Sequence, residues 1–337
     1  MPPRARRFLT PLLLTLAVLS TLASSAGART SDVRLSLVGY AVPREALGEV
    51  IQAFEKTPAG KDVSFTQSYG ASGDQARAVA AGLRADVVQL STGLDIEVLV
   101  KAGLVDPNWN RQSARGIATN SVVAFAVRDG NPKRIKGWDD LVKPGVGIVT
   151  PNPFTSGAAK WNILAAYGAM RKLGKSDRQA IAYVGRLFAN VVSQDRSGRD
   201  ATNTFLAGKG DVFLTYENEA LLARLRGQEI QYVIPRSTIL IEAPIAVLKK
   251  SENRETANAF VHYTKSPEAQ RIFAKWGFRP VNRLVARELR AKFPDRPGVF
   301  TVGSKFIGDW PAAEKKWFDP DRGLMVGVER RIGGPTG

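Results

Sequence analysis

The stretch NSVVAFAVR (Asn120–Arg128) reads as one long strand, because Val122, Val123, Phe125 and Val127 put β-branched and aromatic side chains into an almost unbroken apolar run. A second run of the same kind, TILIEAPIAVL (Thr238–Leu248), follows more than a hundred residues later. The segment between them is a self-contained set of helices and strands. The chain is therefore expected to leave a first domain along one strand and return along the other. Two crossings make a two-segment hinge, with residues 29–120 and 246–337 forming a discontinuous domain I and residues 121–245 forming domain II. A cleft between two such domains is where hinge closure traps a ligand.

Outward from these strands the pattern is α/β throughout. Strand Arg34–Val38 leads to a helix with Leu47, Val50, Ile51 and Phe54 at i, i+3, i+4 and i+7. Strand Val63–Gln67 leads to a helix expected to bury Ala76, Val79, Ala80 and Leu83, and strand Asp86–Leu90 follows. In the intervening segment, strand Val146–Thr150, helices Ala158–Met170 and Asp177–Phe188, strand Val191–Ser193, helix Thr202–Leu206 and strand Asp211–Thr215 alternate. Ala269, Ile272, Phe273 and Trp276 mark a closing helix.

The first 28 residues have the form of a secretory leader: Arg4, Arg6 and Arg7, an apolar stretch from Phe8 to Ala23, and the small residues Ala26-Gly27-Ala28. Its apolar core of about 15 residues is shorter than the roughly 20 that span a bilayer. Cleavage after Ala28 implies a periplasmic protein, with Sec export the default despite Arg6-Arg7. Of 337 residues, 309 then remain, more than one core usually organises. With no cysteine the mature chain is stabilised by packing alone and cannot carry a lipid on a lipobox cysteine.

Loss of the three leader arginines lowers the formal charge from +17 to +14. The basic residues are spread along the chain without a Lys/Arg run or an interleaved aromatic platform, which argues against nucleic-acid binding. A solvated basic surface and attraction of an anionic ligand both remain as readings. Enzyme chemistry lacks parts: His262 is the only histidine, and no nucleophile elbow or metal-ligand cluster appears. No catalytic residue, metal or cofactor is expected.

Three loops share a design in which a strand ends, small or hydroxyl residues follow, and a helix begins. They are Tyr69–Asp74 (YGASGD), Thr150–Ala158 (TPNPFTSGA) and Arg196–Thr202 (RSGRDAT). The first N–H groups of a helix have no intrahelical partner, and the helix dipole adds partial positive charge there, so such ends collect anions. The same residues are ordinary N-caps, and for any one loop the sequence leaves both roles open. Arg77, Lys160 and Arg199 flank the loops and are expected to hold them rather than to ligate an anion.

The motifs GNPK (Gly130–Lys133), WDDL (Trp138–Leu141), KPGV (Lys143–Val146), TPNP (Thr150–Pro153), TNTF (Thr202–Phe205) and ENEALL (Glu217–Leu222), with the region Tyr69–Ala76, closely resemble the bacterial periplasmic sulfate/thiosulfate-binding proteins. The similarity runs in the same order over almost the whole mature chain. It implies a type II periplasmic-binding-protein fold and a dehydrated sulfate or thiosulfate in the cleft, held by neutral donors and delivered to the membrane permease subunits of an ABC transporter. A monomer is the natural expectation for a protein that must close around its ligand.

Carried over position by position, the resemblance puts a hydroxyl donor at Ser72, a backbone cradle at Ser156, Gly157 and Ala158, further N–H contacts at Gly198 and Ala41, and an indole donor at the place of Tyr216. Four positions depart from the family pattern: Ala158 stands for a glycine, Gly198 for an alanine, Ala41 for an aspartate and Tyr216 for a tryptophan. The last bears on specificity, since an indole only donates whereas a phenol also accepts. Asp74, if it faced the ligand, would likewise accept a proton and favour hydrogen phosphate over sulfate. Phosphate or molybdate, and more distantly turnover of a sulfate ester, are the alternatives.

Overall fold

A computed structural model describes residues 33–335, so the leader expected at residues 1–28 lies outside the described residues. The first half of the fold is built from β1 (Val33–Tyr40), α1 (Arg44–Phe54), β2 (Val63–Gly70), α2 (Ser72–Ala80), β3 (Val87–Gln89) and α3 (Gly93–Lys101). The long strand β4 (Ile117–Arg128) leads to β5 (Ile148–Pro151), α4 (Gly157–Lys172), α5 (Asp177–Ala189), β6 (Val191–Asp195), α6 (Gly198–Leu206), β7 (Val212–Tyr216), α7 (Glu217–Leu225) and β8 (Ile230–Val233). After the second long strand, β9 (Thr238–Val247), come α8 (Arg254–Tyr263), α9 (Pro267–Lys275), α10 (Arg283–Glu288), β10 (Val299–Phe300), α11 (Trp310–Ala313) and α12 (Leu324–Ile332).

The strands join in the order β2-β1-β3-β9-β4-β7-β5-β6. β1 runs parallel to β2 and β3, and β5 parallel to β6 and β7, which makes two parallel sheets. β4 and β9 connect them. The start of β4 pairs antiparallel with β9, its end pairs with β7 and β8, and the end of β9 pairs with β3. These are the two crossing strands read from the sequence, and both are buried over most of their length, as their continuous apolar runs require.

Two expectations need correction. Leu83 is 41% exposed because α2 stops early: Gly82 takes φ +111 and the Leu83 N–H bonds to the Ala78 carbonyl, closing the helix before its next turn, while Ala80, still inside α2, is exposed as well. The face α2 buries is Ser72, Gly73, Gln75, Ala76 and Val79 instead. The third loop is also shorter than read, since Ser197 caps a helix that already starts at Gly198 rather than at Thr202.

The C-terminal tail departs from the expected placement of residues 246–337 with the first half. β10 pairs with the start of β9 at Thr238 and Ile239, and α12 packs on α5. The reason lies in α4, which is buried at every residue from Gly157 to Met170 and so shows no amphipathic stripe. Its outer face needs a cover, and the tail supplies one. The Phe300 ring lies where a Cβ on Gly168 would stand, 2.3 Å away, Trp317 meets Tyr167 edge-on at 5.1 Å, and Trp310 meets Trp161 at 4.9 Å.

The tail carries one pH-sensitive contact. Glu329 on α12 is buried and accepts from the Gln194 amide at 2.8 Å. Burial pushes its carboxyl up to about 6 from the ordinary 4.5, the Gln194 bond offsetting only part of this. The folded state thus holds the proton more tightly than the unfolded chain. The resulting stability is complete below about pH 4.5 and is lost as pH rises through about 6, a change on the order of 1–2 kcal/mol. Glu329→Gln is expected to remove this slope from urea unfolding measured across that window, and an unchanged slope would locate the titration elsewhere.

Candidate functional site

Ser91 is where the expected site residues meet, although no motif in the sequence singled it out. Its N–H donates to Ser72 Oγ at 2.8 Å, its hydroxyl lies 2.7 Å from that of Tyr216, and its carbonyl accepts from the Trp161 indole at 2.9 Å. The backbone of Gly157 passes so close that a Cβ there would stand 2.5 Å from Ser91 Oγ. A Cβ on Gly198 would lie 3.2 Å from that of Ala158 and 3.4 Å from Val42 Cγ2, next to Ala41. Ser156 caps α4, accepting from the Ala158 N–H at 3.2 Å. Ala41, Ser72, Ser156, Gly157, Ala158, Gly198 and Tyr216 therefore stand together, two from the first half and five from the second.

They lie at or just ahead of helix starts: Ala41 three residues ahead of α1, Ser72 at α2, Ser91 two residues ahead of α3, Ser156–Ala158 at α4, Gly198 at α6 and Tyr216 directly before α7. Six helix N-termini are thus gathered around one point, and their dipoles and N–H groups make it electropositive without a bare cation. The signal for the missed member was present. Ser91-Thr92-Gly93 follows a strand and opens a helix, the design of the other three loops, and Thr92 Oγ1 accepts from the Asp95 N–H at 3.2 Å as a cap.

The flanking cations are all engaged by protein groups. The Lys160 ammonium lies 3.4 Å from Asp95 Oδ1, both side chains being nearly enclosed. Arg77 bonds to Asp74 and to the Phe154 carbonyl, and Arg196 takes the other oxygen of Asp74. Asp74 is thus held by two arginines. Arg199 forks onto Glu219 with Nε and Nη2 at 3.0 and 2.9 Å, onto Glu45 with Nη1 and Nη2 at 2.7 and 3.0 Å, and reaches the Val42 carbonyl at 2.9 Å.

Four of the expected donors are also engaged within the chain. The Ala41 N–H donates to the Gly70 carbonyl at 2.9 Å, extending the β1–β2 ladder, Ser72 Oγ donates to Asp95 Oδ2 at 2.6 Å, the Ser156 N–H donates to the Asn152 carbonyl at 2.9 Å, and the Ala158 N–H donates to Ser156 Oγ at 3.2 Å. The Ser91 and Tyr216 hydroxyls share one hydrogen bond between two protons, so the pair keeps one O–H to direct elsewhere. Burial, with the nearby Tyr40 ring, raises the Tyr216 phenol well above its usual range despite the bond to Ser91, so it is a neutral donor at any ordinary pH. The halves touch at the rim, where the Gly73 N–H donates to the Thr155 carbonyl at 3.0 Å.

A family model described as bacterial extracellular solute-binding protein matches residues 35–279. The sulfate-binding protein of Synechococcus elongatus is 41% identical over 98% of this chain and 98% of its own. The thiosulfate-binding protein of Pseudomonas aeruginosa is 38% identical over 87% of this chain and 91% of its own. Among solved structures, the sulfate-binding protein SubI from Mycobacterium tuberculosis H37Rv superposes with a TM-score of 0.82 at 42% identity, covering 85% of this chain and all of that one.

Proposed function

The chain belongs to the bacterial extracellular solute-binding proteins and has their type II fold, and from that premise we propose that it captures sulfate or thiosulfate and hands it to the permease subunits of an ABC importer. The observation that carries this reading is the convergence of six helix N-termini on a cluster of neutral hydroxyls whose neighbouring cations are already paired. A proton-free dianion suits such a site, because the backbone and hydroxyl groups offered to it can all donate and none forms an ion pair that would slow release. Residues 29–120 with the chain from 246 to about the end of α10 form one lobe, residues 121–245 the other, and closure about β4 and β9 encloses the ligand.

In this reading Ser156, Gly157, Ala158 and Gly198 contact the anion through backbone N–H groups, Ser72 through its hydroxyl, and Tyr216 through its phenol. Ser72 must turn its proton away from Asp95, and the N–H groups of Ala41, Ser156 and Ala158 must leave the Gly70 carbonyl, the Asn152 carbonyl and Ser156 Oγ, so these contacts form last. Five to seven charge-assisted bonds at about 1.5–3 kcal/mol each exceed the ~8 kcal/mol of micromolar binding, the remainder offsetting ordering and closure. The protein works in the periplasm as a monomer, released from the leader at residues 1–28, and catalyses no reaction. Among the described residues no helix is long and apolar enough to cross a membrane.

Titration calorimetry of the mature chain, freed of endogenous ligand, against sulfate, thiosulfate, phosphate and molybdate tests the proposal. Micromolar or tighter binding of sulfate or thiosulfate is expected, with the same affinity at about pH 6 and about pH 8 because the buried phenol stays protonated across that range. The hydroxyl pair of Ser91 and Tyr216 can accept as well as donate, and it is the feature that would favour hydrogen phosphate instead. Phosphate preference would establish that second reading, and silence across the panel would end the transport assignment.

A further inference from the structure

A second concavity of about 770 Å³ opens where β4 and β9 begin their crossing, beside the segment that leads into α10. Asn120 and Glu242, which face each other across the β4–β9 ladder, form part of its wall, with Arg115, Lys265, Asn282 and Arg283 around them. None of the residues of the anion cluster lies in it.

Lys265 distinguishes this place from an ordinary surface hollow. The residue is only 8% exposed, yet among the described residues its ammonium pairs with no carboxylate and donates to no acceptor, and burial alone lowers its pKa. A largely buried ammonium that reaches solvent only at the concavity, without a protein partner there, is costly to desolvate and is left to pair with what enters. The carboxylate in the wall does not serve it, since Glu242 bonds to Arg115. With three cations against that one carboxylate, the concavity retains net positive charge.

We propose that this concavity is a second ligand site, which takes a small organic carboxylate whose charge pairs with the Lys265 ammonium. Its volume lies in the range of small-molecule sites rather than that of a lone inorganic anion. The exposed guanidinium groups of Arg115 and Arg283 suit a second carboxylate on the same ligand. Malate, a small dicarboxylate, is therefore the probe.

The test is calorimetry of the whole mature chain with malate, in the presence and absence of saturating sulfate. Malate is expected to bind with sulfate in place, and Lys265→Met to weaken it at least about tenfold while leaving sulfate affinity unchanged. Lys265→Gln, which also lacks the charge, should reproduce the loss. The Met variant is further expected to unfold at higher temperature than the wild type without ligand, because an apolar chain replaces an unpaired ammonium. Absence of malate binding, equal binding to both variants, or displacement of sulfate by malate would overturn the proposal. The malate arm without sulfate is read independently, so failure of the cleft assignment would not be mistaken for failure of this one.

Discussion

Gly157→Ala is expected to weaken sulfate binding by about 100-fold or more, roughly 2.7 kcal/mol, while leaving unliganded stability near that of the wild type. A methyl at this position would stand 2.5 Å from Ser91 Oγ and 2.6 Å from Ser91 Cβ, and 3.1 Å from Thr92 Cγ2. The Oγ could rotate away, but the Cβ cannot, because Ser91 is anchored through its N–H to Ser72 and through its carbonyl to Trp161. Gly157 is fixed in turn as the first residue of α4, whose N-cap is Ser156. Under the proposed closure of two lobes, Ser91 and Gly157 come from opposite sides of the cleft and the clash arises when they meet. The added methyl is then expected to act on closure rather than on folding. Ser91→Gly in the same chain removes the obstructing atoms and should restore much of the affinity. A single variant that binds sulfate within about threefold of wild type would show that these halves do not close through this contact.

Arg199→Met is expected to lower unfolding stability by about 3 kcal/mol, measured by urea denaturation. Burial disfavours the guanidinium charge, but Glu219 and Glu45 more than offset this and raise its pKa. The two carboxylates fare differently on its removal. Glu45 keeps Arg226 at 2.6 Å, whereas Glu219, with a side chain only 1% exposed, keeps just the Thr202 hydroxyl at 2.8 Å. An isolated buried carboxylate is the source of the cost. Arg199→Lys should recover part of it, since one ammonium cannot reproduce a fork onto two acids. A loss below about 1 kcal/mol would mean that water reaches Glu219. The fork binds α1 of the first half to α6 and α7 of the second, so it sets the geometry of the loops that carry Ala41 and Gly198.

Much of the fold was legible because strand and helix signals are local. The apolar runs of β4 and β9 and the i, i+3, i+4, i+7 spacing in α1 are properties of neighbouring residues, and they located these strands and this helix. Helix ends were less secure. α2 ended a turn before Leu83 because Gly82 allowed a left-handed stop, and α6 began a turn early because Ser197 rather than Thr202 was the cap. α3 and α7 were not read at all. The tail was expected beside the first half because its partner helix, α4, is buried on every side and its pattern gives no directional cue.

The sequence by itself determined the strand-loop-helix units, and with them the identity of the N–H groups that no helix can satisfy, because a cap and its first turn lie within a few residues of each other. Only the tertiary structure decided that six such ends share one point. That follows from strand order: β3 lies beside β9 and β9 beside β4, which brings Ser91 against Gly157 and Tyr216 over separations of 66 and 125 residues. It also decided that Arg77, Lys160 and Arg199 are bound to acids rather than left for a ligand, since each acid reached by Lys160 and Arg199 comes from a distant part of the chain. Local chemistry makes the donors, and long-range pairing aims them.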